Sequence, residues 1–285
     1  MISPRLLRRR IRSIQSTAKI TKAMEMIATA KMKRAQEQAM AGRPYNDKIT
    51  QLISDLAVES GVEGSLHPLL ERRETVNKIA VVHITSDRGL CGGLNANMNR
   101  LTASFILEQS VPVTLVTIGR KGNDFMHRHR RDIRAEFNVS DRPTMFETIP
   151  ISQIIIDDYV NSQIDLVYLA YTRFVSTMVQ KPTMELLLPV KPATLAKTEA
   201  TEYIYEPDPK SVLEGLLPRF IEIRVYHAIL EAIASEHSAR MIAMRNATDN
   251  ANEIIEHLTL TLNKARQEMI TTELLDITGG VEVLH

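Results

Sequence analysis

The sequence lacks the cysteines that build disulfides and multi-cysteine metal sites, and it lacks the long apolar runs that build membrane spans. Its 285 residues include one cysteine, Cys91, and no tryptophan. A single cysteine excludes an intrachain disulfide and a multi-cysteine metal site. No run of eighteen apolar residues is present, which argues against a transmembrane helix. The arginine-rich amino terminus lacks the apolar block of a secretory signal, so we expect an intracellular protein.

Glycine and proline are absent from residues 219–278. Sixty residues without a helix breaker predict one helix on the order of 85 to 90 Å long, which one globule cannot enclose. Pro218 suits the first turn of this helix, and Gly279 with Gly280 suits its carboxyl-terminal cap. Small and apolar residues recur in steps of three and four along it, as in a coiled coil: Ile221, Val225, Ala228, Ala232, Ser235, Ala239, Ala243, Ala247, Ala251, Ile254, Leu258, Leu262, Ala265 and Met269.

The amino-terminal segment predicts a second long helix. Ser3 and Pro4 form a good cap and first turn, and Gly42-Arg43-Pro44 either ends the helix or kinks it. One line of residues suits a partner helix: Leu7, Ile11, Ile14, Ala18, Thr21, Ala28, Met32, Ala35 and Ala39. A separate line, Ile20, Met24 and Ile27, suits a surrounding surface. Residues 1–48 carry twelve basic and three acidic residues, a net charge of +9 against −8 for the remainder, which indicates an acidic partner.

The centre of the chain alternates short β-rich runs with helices. Strands are predicted at residues 79–84, 112–118, 164–169 and 184–188, and helices at 95–108, 121–129 and 152–162. This order predicts a mostly parallel, helix-covered, Rossmann-like α/β sheet. Because the two long helices lie at opposite ends of the chain, they pair antiparallel if they pair at all. We therefore predict an α/β fold in four parts: an amino-terminal shaft helix (1–60), an α/β foot domain (76–190), a linker (191–210) and a carboxyl-terminal shaft helix (211–285).

The run Ser86-Asp-Arg-Gly-Leu-Cys-Gly-Gly-Leu-Asn95 lies between a strand and a helix, where glycine-rich turns cradle phosphates. Its glycine spacing matches neither the dinucleotide fingerprint nor the P-loop. We interpret it as a tight structural turn, with Asp87 and Arg88 as candidate partner contacts. Cys91 with His83 as its base would form a nucleophilic pair, but a buried thiol is the simpler interpretation.

Three functions remain open on these residues alone. The first is a stalk of two paired helices beside a globular domain, with one line of apolar residues that meets a surrounding surface. The second is an enzyme that binds a nucleotide on its α/β domain and dimerises through its helices. The third is a coiled-coil protein that binds duplex nucleic acid through its basic helix. Base-stacking platforms for single strands are disfavoured, because seven tyrosines and six phenylalanines are scattered along the chain.

Three motifs resemble the gamma subunit of the F-type ATP synthase. They are Ile20-Thr-Lys-Ala-Met-Glu-Met-Ile27, the glycine-rich run from Ser86 to Asn95, and Arg240-Met-Ile-Ala-Met-Arg-Asn-Ala-Thr-Asp-Asn-Ala251 with the following Asn263 to Glu273. The motifs span both ends and the centre of the chain. The resemblance implies a rotor shaft of two antiparallel helices inside a ring of alpha and beta subunits, with the α/β domain touching the epsilon subunit and the ring of c subunits.

The resemblance also implies that the chain performs no catalysis and needs no cofactor or metal. Its rotation couples proton flow through the membrane sector to ATP synthesis or hydrolysis in the ring. By position within the motifs, Lys22 and Met24 resemble the family's contacts to an acidic loop of beta. The carboxyl-terminal contacts with the ring are implied at Arg266, Gln267, Thr271 and Glu273. No cysteine-bearing insertion is present, which favours a bacterial enzyme, peripheral on the cytoplasmic face of the plasma membrane.

Overall fold

The computed structural model describes residues 3–60, 67–71, 73–190, 206 and 208–282. Its helices are α1 (Pro4–Ser60), α2 (Leu94–Glu108), α3 (Arg120–Arg128), α4 (Met145–Val160) and α5 (Pro209–Glu282). Its strands are β1 (Ile79–Ile84), β2 (Val113–Ile118), β3 (Asp132–Phe137), β4 (Leu166–Phe174) and β5 (Gln180–Leu188). Contacts divide the chain into two units. We name them the helix-pair unit (residues 1–28 and 240–285) and the sheet unit (residues 29–239).

Both long helices are confirmed, but their ends differ from the prediction. Helix α1 begins after Ser3, whose carbonyl accepts from Leu6 N at 3.0 Å, and it continues through Pro44. Helix α5 begins at Pro209 rather than at Pro218, because the Asp208 carboxylate caps it by accepting from Ser211 N at 2.9 Å. Residues 209 and 210 of the predicted linker are therefore helical, and most of that linker (191–205 and 207) lies outside the described residues.

The predicted cap at Gly279 and Gly280 is wrong. Both glycines lie inside α5, which ends at Glu282. Glycine permits the left-handed conformation of a cap without requiring it, so a glycine pair does not by itself end a helix.

The helix-pair unit is an antiparallel pair. Thr21 Oγ1 lies 2.7 Å from Thr248 Oγ1, and Arg245 Nε donates to Glu25 Oε1 at 3.0 Å. Residue numbers rise along one helix as they fall along the other, which confirms the predicted direction. The predicted division of α1 into two apolar lines is also correct. Side chains of the partner line are buried (Leu7, Ala18, Thr21 and Ala28), whereas Ile20 and Ile27 of the second line are 60% and 57% exposed.

The sheet unit contains a five-stranded sheet in the order β3-β2-β1-β4-β5. Strands β3, β2, β1 and β4 are parallel, and β5 is antiparallel to β4, so the predicted mostly parallel sheet is confirmed. Strand β1 is buried along its whole length, as expected for a strand covered on both faces. Helices α2 and α3 cover one face through Met98 and Met126. Helices α1, α4 and α5 cover the other: Ile53, Leu56, Ile151, Ile155, Ile221 and Val225.

One strand of the sheet was not predicted from the sequence, and two others are longer than predicted. The missed strand, β3, alternates exposed Asp132, Arg134 and Glu136 with half-buried apolar residues. This alternation with a period of two is visible in the sequence. It was not predicted as a strand because half of its residues are charged, as is common for a strand at the edge of a sheet. Strands β4 and β5 extend into a longer hairpin than predicted. Helix α4 begins seven residues before the predicted start of residue 152, because Glu147 Oε1 accepts from Thr144 N at 3.2 Å and caps it.

No helix within the described ranges has a stretch that is long and apolar enough to cross a bilayer.

Substitution of Gly119 tests the tight connection after β2. Gly119 has φ of 89°, and a Cβ there would lie 2.1 Å from the Thr85 carbonyl oxygen. We expect Gly119→Ala to lower the free energy of unfolding by about 2 kcal/mol or more, because it adds backbone strain and a clash. Urea unfolding measures the change. Gly89→Ala is the control, since a Cβ at Gly89 meets nothing within 4 Å, and equal losses in the two variants would contradict the interpretation.

Candidate functional site

A buried carboxylate lies at the centre of the amino-terminal motif. Glu25 is 5% exposed. Its carboxylate oxygens accept from Lys22 Nζ at 2.9 Å and from Arg245 Nε at 3.0 Å. The hydrogen bond from Lys22, supported by that from Arg245, holds the pKa of Glu25 below its ordinary value although burial acts in the opposite direction. Glu25 therefore stays ionised and joins the two helices through Arg245.

Sequence reasoning missed Glu25, although two signals pointed to it. It lies between Thr21 and Ala28 at helical spacing, on the line that faces the partner helix. It also follows Lys22 by three residues, a spacing that allows an ion pair on one helix. An acidic residue on the buried line of a basic helix is a candidate for a buried ion pair.

The predicted contact residues Lys22 and Met24 lie on α1 in the helix-pair unit. The Lys22 side chain is 57% exposed although its ammonium group is bound to Glu25. Met24 is half-buried, whereas Met26 nearby is 60% exposed. Together with Ile20 and Ile27, this surface combines apolar side chains with one partly neutralised cation.

The same helix carries an unusual density of exposed cations. Within the described part of the chain, none of these cations makes an ion pair: Arg5, Arg8, Arg9, Arg10, Arg12 and Lys19. Six positive charges on about four turns of helix create an electrostatic field that favours an acidic partner. This part of α1 therefore accounts for much of the positive charge of residues 1–48.

The second predicted group lies on exposed parts of α5: Arg266, Gln267, Thr271 and Glu273. The register of the helix pair places Pro4, the first residue of α1, beside roughly residue 265 of α5. The side chains that follow are exposed, including Leu274 at 58% and Leu275 at 65%. Thr271 Oγ1 donates to the Gln267 carbonyl at 2.9 Å.

The structure does not bring these two groups together. Thr248 of α5 lies beside Thr21, next to Lys22, and eighteen helical residues separate it from Arg266. At 1.5 Å of rise per residue the separation is about 27 Å. The helix pair thus offers two separate contact surfaces, one around Lys22 and Met24 and one around Arg266 to Glu273.

The candidate contacts Asp87 and Arg88 lie in the turn between β1 and α2. Asp87 Oδ1 accepts from Arg120 N at 2.9 Å, and the Arg88 carbonyl accepts from Ser86 Oγ at 2.7 Å. Asn95 Nδ2 donates to Ser86 Oγ at 2.7 Å, which closes the turn from its other end. These bonds support the interpretation of a tight structural turn. The Arg88 side chain is exposed.

His83 does not act as the base for a Cys91 nucleophile. Its Nε2 lies 2.9 Å from Asn99 Oδ1 and its Nδ1 lies 3.0 Å from Thr102 Oγ1, so both ring nitrogens are occupied. Complete burial lowers the pKa of His83 to about 4, and the ring is neutral near pH 7. Cys91 is buried at 3% exposure. Within the described ranges, no group of three His, Cys, Asp or Glu side chains is arranged to hold a metal ion.

Long paired helices with exposed cationic and apolar surfaces define a class of protein that works through contacts with partner subunits. Comparison with known proteins identifies the family. The sequence model of the ATP synthase family matches residues 3–284. An ATP synthase gamma chain of Dehalococcoides mccartyi is 60% identical over 285 residues, which cover all of both chains. The ATP synthase gamma chain of Herpetosiphon aurantiacus is 45% identical over 294 aligned positions, again covering both chains completely.

A solved structure agrees with these sequence matches. A chain in the cryo-EM structure of the Euglena gracilis mitochondrial ATP synthase, containing OSCP, F1 and the c-ring in rotational state 3, superposes with a TM-score of 0.66. The match covers 99% of this chain and 94% of that chain at 20% identity, and it shows that the two share a fold.

The chain belongs to the ATP synthase gamma-chain family. The resemblance found in the sequence motifs is thereby confirmed. Membership in this family makes the chain a non-catalytic rotor subunit of an ATP synthase, a membrane-associated complex.

Substitution of Glu25 tests the buried ion pair. At pH 7 we expect Glu25→Gln to lower the free energy of unfolding by about 1 to 2 kcal/mol, because Arg245 and Lys22 lose a charged acceptor in a partly buried site. The pKa of Glu25 is lowered in the folded state, so its stabilisation is present above the ordinary glutamate pKa of about 4.3 and is lost as pH falls through the folded-state pKa.

Urea unfolding of the full chain between pH 7 and pH 3 measures the effect. The difference between wild type and Glu25→Gln should shrink as the pH falls, because protonation of the carboxyl group removes the charged acceptor that distinguishes the two proteins. Glu256→Gln, at an exposed position of α5, is the control and should change stability by less than about 0.5 kcal/mol. A difference for Glu25→Gln that stays constant with pH would exclude the ion pair as its cause.

Proposed function

We propose that this chain rotates inside a ring of alpha and beta subunits and couples ion flow through the membrane sector to ATP synthesis or hydrolysis. Its further partners are the epsilon subunit and the ring of c subunits. The complex lies on the cytoplasmic face of a bacterial plasma membrane, where this chain is a peripheral component. In this proposal the ring makes or hydrolyses ATP, and this chain contributes by rotating inside it.

The observation that carries the proposal is the antiparallel register of α1 and α5. Thr21 contacts Thr248 and Glu25 contacts Arg245, so the small-residue lines of the two helices are turned toward each other. The opposite surfaces remain exposed, with Ile20 and Ile27 on α1. The facing sides of the two helices are packed together, and their outer sides are apolar or cationic. Such a pair is suited to contact several surrounding subunits in turn.

The charges support a weak, repeated contact with an acidic loop of the ring. Exposed ion pairs contribute about 0 to 1 kcal/mol each, and they are screened beyond about 10 Å at ordinary salt. Glu25 already neutralises part of the Lys22 charge, which lowers its attraction for any outside carboxylate. Many weak contacts favour rotation, because one strong contact would stabilise a single angle.

Two surfaces are proposed to contact the ring. Lys22 and Met24 contact the acidic loop of beta, with Met24 as an adaptable apolar group beside the cation. The second surface combines Arg266, Gln267, Thr271 and Glu273 with the exposed apolar residues of α5: Met269, Ile270, Leu274 and Leu275. Asp87 and Arg88 remain proposed contacts of the α/β domain, and the Arg88 side chain is exposed.

Contact with the c subunits has support from proteins of the same fold. The matching chains come from the rotor of the Euglena gracilis mitochondrial ATP synthase and from the central stalk and c-ring of the Tetrahymena thermophila mitochondrial ATP synthase. For this chain, the equivalent association is a proposal.

Co-purification tests the proposed assembly. The full chain is tagged and isolated from its own cells, and the captured proteins are identified by mass spectrometry. We expect alpha, beta, epsilon and c subunits to be captured together. An untagged strain is the control. Recovery of the chain as a free dimer, without alpha and beta, would contradict the proposal.

Substitution of Met24 tests the proposed contact with beta. Met24→Lys adds a second cation beside Lys22, which should over-stabilise the contact with the acidic loop by about 0.5 to 1 kcal/mol. We therefore expect ATP synthesis by membrane vesicles to fall by about two- to fivefold, with assembly unchanged.

The matched control is Ala41→Lys, which adds the same charge at an exposed position of α1 in the sheet unit. It should leave ATP synthesis near the wild-type rate. If both variants reduce synthesis equally, the effect is one of total charge and the assignment of Met24 is wrong. Rising salt should partly restore the Met24→Lys enzyme, because the added attraction is screened.

A further inference from the structure

Two buried serines of α5 form hydrogen bonds to the hairpin of β4 and β5. Ser235 Oγ donates to the Thr172 carbonyl at 3.0 Å, and Ser238 Oγ donates to the Thr177 carbonyl at 2.6 Å. Gln180 Nε2 donates to Ser238 Oγ at 3.2 Å and to the Thr177 carbonyl at 2.8 Å. Both serine side chains are completely buried. We call these five residues the hairpin clasp.

The clasp differs from the usual bonding of hydroxyl groups in helices. Serine and threonine in a helix commonly donate to a carbonyl of their own helix one turn back. Thr259 and Thr261 of α5 do so, bonding to the carbonyls of Ile255 and His257. Ser235 and Ser238 instead donate across to another element of the fold. Their hydroxyls therefore connect two elements.

A second polar connection joins the same helix to the same hairpin. Arg224 donates to Glu185 Oε2 at 3.1 Å, and Glu185 also pairs with Arg173 on β4. Arg224 and Ser238 lie fourteen residues apart on α5, about 21 Å along the helix axis. Two connections at that separation oppose both sliding and pivoting of the helix on the hairpin.

Hydrogen bonds and apolar contacts resist motion differently. Packed helices slide by small amounts while keeping most of their apolar burial, which is the shear motion seen in many proteins. A hydrogen bond is directional and is lost when donor and acceptor separate beyond about 3.5 Å. Buried donors and acceptors that lose their partners are strongly unfavourable, since no water replaces them. The clasp thus resists a small slide that the apolar core would tolerate.

We propose that the hairpin clasp transmits torque between the sheet and α5, with Ser235 and Ser238 as its positioning residues. The inference rests on the proposed rotation of this chain and extends it to a specific load-bearing contact. Without the clasp, part of each rotation would be taken up by sliding of α5 over the hairpin.

The test measures torsional stiffness in the assembled enzyme. The ring is immobilised, and a probe is attached through a cysteine introduced at exposed Arg128 on α3, since the native Cys91 is buried. Angular fluctuations of the probe are recorded while the enzyme waits for ATP. We expect the double variant Ser235→Ala and Ser238→Ala to increase the angular variance by about twofold, because two directional contacts are replaced by a sliding apolar one.

The control removes two hydroxyls that bond within their own helix. Thr259→Ala with Thr261→Ala should leave the angular variance unchanged. A wild-type probe that does not rotate with ATP would overturn the proposed function itself. A wild-type probe that rotates, with equal variance in the clasp variant and the control, would overturn the clasp while leaving the proposed function standing.

A second measurement covers the case in which the double variant does not assemble. Gln180→Met removes the amide that supports Ser238 while keeping the length of the side chain. Hydrogen exchange on the full chain should then become at least about two- to tenfold faster at the amides of residues 174–180, because the amide group loses its hydrogen bonds to Ser238 Oγ and to the carbonyls of Ser176 and Thr177. Unchanged exchange there would also overturn the clasp.

Discussion

The close approach of two small-residue helix faces is the constraint on which the helix-pair unit depends. Ala18 and Ala28 of α1 and Ala251 of α5 are buried, and side chains of this size let two backbones come near each other. Close approach gives each long helix the tertiary contact that stabilises it, because helical propensity alone is weak over such lengths. A charged connection between Glu25 and Arg245 also joins the two helices.

In the sheet unit, other parts of the same two helices cover one face of the sheet. Its parallel strands need cover on both faces, and α2 with α3 supplies that cover on one face only. On the other face, residues of α1 and α5 join α4 in one core. Each terminal helix thus contributes to both units. Apolar packing holds α5 against the sheet but does not fix the position of the helix along its own axis. Polar contacts, such as that of Arg224 with Glu185, fix that position.

The features that sequence reasoning found are those with a strong local signal. Sixty residues without glycine or proline indicated a long helix, and strand β1 was recognised as a short β-rich run. The failures have equally local causes. Pro218 and Gly279 favour helix ends without enforcing them, and the Asp208 carboxylate sets the start of α5 instead. Glu25 was missed because a charged residue on a helix is usually solvated, and its partner Arg245 lies 220 residues away in the chain.

The sequence by itself determined the class of most segments, the antiparallel sense of any pairing between the two long helices, and membership in the gamma-chain family. Periodicity, breaker content and motif spacing are properties of neighbouring residues, and they can be read without coordinates. The tertiary structure decided which polar groups meet: Glu25 with Arg245, His83 with Asn99 and Thr102, and Ser238 with the Thr177 carbonyl. These contacts bring the polar atoms of residues that are far apart in the sequence to within about 3 Å of each other. A hydrogen bond depends on the distance and angle between its two groups, which no local sequence pattern specifies.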